Sequence, residues 1–71
     1  MNRRIVFRQP HGGVVTLTQT ETKLERLVAP GSGWGWPFYR ESLGGPMEHH
    51  ERVWDRWEAF ERRIGSEEEK A

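Results

Sequence analysis

The sequence predicts an α+β fold: an N-terminal β-hairpin, extendable to a three-stranded antiparallel sheet, packed by one C-terminal amphipathic helix. Three observations predict it. Two runs rich in β-branched and aromatic residues flank the turn Pro10-His11-Gly12-Gly13. Apolar side chains recur with helical period from Met47 to Ile64. The chain has 71 residues and no cysteine, so a few large side chains must hold it together.

The hairpin is read over residues 3–20. Pro10 suits the first central position of a type I turn, and Gly12 suits the left-handed position after it. That turn sets Gln9 against Gly13, Phe7 against Val15 and Ile5 against Leu17. Ile5, Phe7, Val15 and Leu17 then share one face, and Arg4, Val6, Arg8, Val14, Thr16 and Thr18 share the other. Turn chemistry and face chemistry agree.

Residues 20–28 fit two periods. Leu24, Leu27 and Val28 make a helical face that Thr20 or Thr22 would cap, and this short helix is the favoured reading. A third strand is the alternative. Ala29-Pro30-Gly31-Ser32-Gly33 reads as a loop. The next stretch holds Trp34, Trp36, Pro37, Phe38 and Tyr39 among glycines, with a short extended strand through Phe38 and Tyr39. A hairpin alone is marginal, so a third strand or a covering helix is required.

The helix opens at Pro46 and stops at Gly65. Met47, His50, Val53, Trp54, Trp57, Phe60 and Ile64 fall on one arc, interrupted by Glu61. Val53, Trp57, Phe60 and Ile64 are expected to cover the hairpin strip. Residues 1–64 thus read as one domain and 65–71 as a flexible acidic tail.

Charge and composition narrow the function. Eleven basic and eleven acidic groups cancel, but residues 1–33 carry net +3 and residues 34–71 net −3. Mutual pairing of the halves inside one domain is the favoured account. Mean hydropathy is −0.90, and no apolar run approaches a membrane span. Only Ile5, Val6 and Phe7 follow Arg3 and Arg4, too few for a signal-peptide core, so a cytoplasmic location is expected.

The residues argue against an enzyme, a metal site or a cofactor. No cysteine is present, and Ser32, Ser42 and Ser66 lie in no nucleophile elbow. His49 and His50 are neighbours on a helix, so their rings diverge by about 100° and suit no shared metal. They read as helix-surface histidines, and His11 as a turn residue. No phosphate-binding glycine motif occurs.

Two binding classes remain. Trp, Tyr and Arg dominate protein interfaces, so Trp34, Trp36, Tyr39 and Arg40, with Arg4 and Arg8 on the outer hairpin face, are the candidate partner-binding residues. The alternative is a nucleic-acid-binding regulator using the Arg/Thr face, against which stands a pI near 6.8. The chain is expected as a monomer or homodimer, with no membrane partner.

Residues 4–14, Arg4-Ile5-Val6-Phe7 followed by Pro10-His11-Gly12-Gly13-Val14, resemble the opening hairpin of small phage and mobile-element proteins. There the usual form is Arg-Ile-Val-Tyr-x-x-Pro-Asp-Gly-Gly-Val; here Phe7 and His11 replace Tyr and Asp. The resemblance implies an accessory protein that binds and blocks a host protein complex, as anti-CRISPR proteins do. No functional residue carries over from it.

Overall fold

The computed structural model describes residues 2–30 and 39–69. Six elements follow in order: β1 (Arg3–Arg8), β2 (Val14–Gln19), β3 (Lys23–Ala29), β4 (Tyr39–Gly44), α1 (Met47–Arg63) and β5 (Glu67–Glu68). The strands form one antiparallel sheet in the order β4-β3-β2-β1-β5. The helix covers one face. The fold is α+β, as the sequence predicts, with more strands than it predicts.

The hairpin forms in the expected register, with Phe7 opposite Val15 and Ile5 opposite Leu17. Gln9 N–H donates to Gly13 C=O at 2.7 Å, and Gly12 N–H donates to Gln9 C=O at 3.0 Å. Gly12 has φ +99°, a conformation side-chain-bearing residues avoid.

The favoured short helix over 20–28 is corrected: this segment is β3. Thr20 N–H donates to Lys23 C=O at 2.8 Å, closing a two-residue loop at Glu21-Thr22. The Thr20 hydroxyl serves that turn, accepting from Thr22 N–H at 3.4 Å, and caps no helix. A nine-residue helix nucleates poorly alone. Pairing with β2 satisfies its backbone instead and turns Leu24, Arg26 and Val28 toward α1. The Trp-rich stretch contributes β4, which pairs with β3 from Tyr39 to Gly44. Trp34, Trp36 and Phe38 lie outside the described residues.

Pro46 is the N-cap residue, one position earlier than expected, with φ −63° and ψ 141°. The helix ends as the glycine predicts. Gly65 N–H donates to Arg62 C=O at 3.2 Å and Ser66 N–H to Glu61 C=O at 2.9 Å. With Gly65 at φ +88°, this is a Schellman motif.

Phe7, Val15, Leu17, Leu24 and Trp54 form the buried core, with Ile5, Val28, Val53 and Trp57 packed around them. The expected helix set is therefore shifted. Trp54 is the most buried apolar residue of the helix at 4% exposure, while Phe60 is 44% exposed and Ile64 half-buried. The line facing the sheet is His50, Trp54, Trp57 and Glu61, because Glu61 meets Arg26 and the guanidinium of Arg3 lies 3.9 Å over the Trp54 ring.

Glu67 and Glu68, expected in a flexible tail, form β5 against Arg8 and Phe7. Glu69 N–H donates to Val6 C=O at 2.8 Å. The charge halves do meet: Arg3 with Glu51 at 3.6 Å, Arg8 with Glu69 at 3.7 Å, and Arg26 with Glu41 at 3.1 Å and Glu61 at 3.7 Å.

Candidate functional site

Two buried polar groups tie β4 to the helix. The first is a relay. Arg3 Nε donates to Gln19 Oε1 at 2.9 Å, which orients the Gln19 amide. Gln19 Nε2 then faces His50 Nδ1 at 3.3 Å, and His50 Nε2 faces Gly44 C=O at 3.2 Å. A carbonyl only accepts, so His50 carries its proton on Nε2 and accepts at Nδ1. The expectation of a surface His50 is corrected: its ring is sealed and ties the end of β4 to α1. His11 and His49 are exposed, as read.

The second group surrounds Glu61, the charged break in the helical arc. Its carboxylate is fully buried. Oε1 accepts from Ser66 Oγ at 2.8 Å and Gln9 Nε2 at 3.2 Å. Arg26 Nη2 stands 3.7 Å from Oε2, and Arg26 Nη1 donates to Glu41 of β4 at 3.1 Å. Gly13 makes room for this: a Cβ there would stand 2.6 Å from Gln9 Oε1. Arg26 thereby grips β4 at its middle and the helix at its end.

On the β1 side, Glu58 accepts from the Trp54 indole N–H at 2.9 Å and from Arg62 at 2.9 Å. The Arg62 hydrogen bond holds the Glu58 carboxyl below its ordinary value; partial burial opposes this, and the Trp54 hydrogen bond and the Arg62 and Arg3 charges reinforce it. A depressed carboxylate contributes stability that is fully present above the ordinary value of 4.5 and is lost as pH falls through the lowered one. The melting temperatures of wild type and Glu58→Gln are therefore expected to converge on acidification below that value. A gap unchanged with pH would refute this linkage.

What remains open is the far side of β4. Paired residues in a sheet share a face, so Tyr39, Glu41 and Leu43 lie on the helix side with Val28, Arg26 and Leu24. Arg40 and Ser42 lie on the outer side. Tyr39 is 55% exposed and Leu43 40%. Glu51, Glu58 and Arg62 line the helix flank that meets Arg3 and Glu68. At 100° per residue Phe60 falls on the opposite flank, over β3 and β4. Tyr39, Leu43 and Phe60, the exposed large hydrophobics among the described residues, thus share one side of the fold.

Comparison with protein-family models, with curated proteins and with solved structures finds no match.

Of the six residues read from the sequence, the four described ones are spread across the sheet. Trp34 and Trp36 lie outside the described residues. Tyr39 and Arg40 are neighbours on opposite faces of β4. Arg4 and Arg8 lie on β1, three strand spacings or about 15 Å from Arg40. Arg8 pairs with Glu69, and Arg40 with Glu25 at 3.4 Å. An open cleft of about 350 Å³ beside β1 is lined by Arg4, Ile5, Val6, Glu68 and Glu69. Leu43 and Phe60 were missed. Leu43 carries a signal, standing four residues from Tyr39 and so on its face of a strand. Phe60 carries a weaker one, at the rim of the helical arc.

Among the described residues, no group of three or more His, Cys, Asp or Glu is placed to hold a metal ion. No helix among them is long and apolar enough to cross a membrane.

Proposed function

We propose that this chain is a non-enzymatic protein-binding module that grips its partner along the β4 side and acts by occluding it. The exposure of Tyr39, Leu43 and Phe60 on one side carries this reading. Among the described residues, these three large apolar side chains stand in solvent, where a partner would desolvate them. The likeness of residues 4–14 to phage accessory proteins supports a host protein complex as the partner and steric blockade as the outcome.

Nucleic-acid binding by the outer face draws on Arg4, Thr16 and Thr18, which the helix leaves uncovered. Carboxylates of Glu25, Glu67 and Glu69 stand on or beside that face and neutralise Lys23, Arg40 and Arg8. Phosphate binding needs a positive excess, so this reading loses support.

Affinity capture tests the proposal. Wild type is expected to retain a protein that Leu43→Glu and Phe60→Glu both lose while keeping their cooperative melts. Retention of the same proteins by both variants, or of duplex DNA at low salt in their place, would sink it.

A further inference from the structure

Among the described residues the outer edge of β4 has no strand beside it, and the groups it leaves free can be assigned. Thr20 and Lys23 are a hydrogen-bonded pair, since Thr20 N–H donates to Lys23 C=O. Antiparallel pairs alternate, so Lys23, Glu25 and Leu27 bond toward β2, and Leu24, Arg26 and Val28 bond toward β4. The β4 residues opposite them are Leu43, Glu41 and Tyr39. The N–H and C=O groups of Arg40 and Ser42 therefore point away from the sheet. The same alternation predicts that Val6 bonds away from β2, and its carbonyl does accept from Glu69 N–H. The chain covers that β1 edge with its own β5. Among the described residues nothing covers β4.

Edges left open are normally blunted by Pro, by Lys and other charges, or by a bulge. β4 runs six residues, Tyr39 to Gly44, without Pro or Lys, and its two charges, Arg40 and Glu41, are already paired with Glu25 and Arg26 of β3. It is held from within by Arg26–Glu41 and His50–Gly44, so ordering it costs a partner little. We infer that β4 takes an extended segment of another protein as an added antiparallel strand. This rests on the protein-binding reading and names its mode.

The side chains specify that strand. A match sets apolar residues against Tyr39 and Leu43, a basic residue against Glu41 and an acidic one against Arg40. A second copy of the chain fits poorly. Two-fold pairing must keep faces matched, so the centre falls on Arg40, Glu41 or Ser42. The first two set like charges opposite each other; the third sets Glu41 against Leu43. A different chain with an alternating apolar and charged strand suits the edge.

The probe is a blocked peptide, Thr-Val-Thr-Lys-Glu-Phe-Thr, which places Val at Leu43, Lys at Glu41, Glu at Arg40 and Phe at Tyr39. Peptide at saturation is expected to slow amide exchange at Arg40 and Ser42 by about tenfold or more, equal to ~1.4 kcal/mol. Ser42→Pro removes an N–H that the sheet does not use, so the variant should fold and yet lose the peptide. The peptide with its Lys and Glu exchanged should bind more weakly than the original. Exchange at Arg40 and Ser42 unchanged by peptide overturns the inference, and this readout needs no variant. A dimer that Ser42→Pro dissolves also overturns it, because the occupant is then a second copy. A captured protein lost by Leu43→Glu but kept by Ser42→Pro overturns strand addition while leaving the protein-binding reading standing.

Discussion

Trp54→Ala is expected to leave the isolated chain unfolded at 25 °C. Trp54 is the one helix residue in the buried hydrophobic cluster, where it joins Phe7, Leu17 and their neighbours. Truncating a buried Trp costs about 3–5 kcal/mol. A core in a chain this short supplies about 3–5 kcal/mol in total. The loss is compounded locally. The Arg3 guanidinium loses the ring beneath it, and Glu58 loses the indole donor. Trp54→Phe separates these contributions, since it keeps an aromatic face for Arg3 and removes the N–H. It should fold with a lowered melting temperature. The check is near-ultraviolet circular dichroism with the amide spectrum of each variant. A cooperative melt in Trp54→Ala close to that of wild type would show that another part of the helix carries the core.

Trp54 also shows where the sequence was legible and where it was not. The hairpin was readable because Pro10 and Gly12 dictate a turn, and the turn dictates the register that pairs Phe7 with Val15. The helix was readable from its period, its proline and its glycine. Its rotation was not. The apolar arc spans the helix from Met47 to Phe60, and hydrophobicity alone centres it near Val53 and Trp57. The actual centre is pulled toward Trp54 by Arg3 and Glu61, groups that a hydrophobic pattern counts against burial. Glu61 finds Arg26 thirty-five positions away, and His50 finds Gln19 thirty-one away. Such partners leave no local trace.

Strands β3 and β4 were obscured for a related reason. Leu24, Leu27 and Val28 satisfy a helical face, while Leu24 and Val28 also satisfy alternation. Only pairing with β2 decides between them. β5 has no apolar residue at all and exists because the Val6 carbonyl offers an acceptor. At the site, Tyr39 and Arg40 read together as partner-binding residues of an aromatic loop, but both lie on β4, where alternation sends them to opposite faces. Arg4 and Arg8 were grouped with them by chemistry, and the sheet order separates them. The edge itself was invisible to composition: it is defined by what, among the described residues, does not lie beside β4.

Arg26→Leu is the second change expected to unfold the chain, and its rescue is more informative than its failure. Arg26 is the cation facing the fully buried Glu61 carboxylate, whose Oε2 has no hydrogen-bond donor of its own. Removing one member of a buried pair strands the other, at about 3–5 kcal/mol. Glu41 loses its partner at the same stroke, which frees the middle of β4. Glu61→Gln behaves differently. The amide oxygen still accepts from Gln9 and Ser66, and no charge remains to be stranded. Arg26→Leu with Glu61→Gln is therefore expected to regain a cooperative transition that Arg26→Leu alone lacks. Urea denaturation of wild type, both single variants and the double variant closes the cycle. If the pair acts through charge, the coupling is favourable by about 1 kcal/mol or more. If the losses simply add, the Arg26 stem matters only as packing against the sheet, and the electrostatic account of how β4 is held fails. The cycle also bears on binding. The double variant still lacks the Arg26 partner of Glu41, so it should regain stability while binding an added strand more weakly than wild type.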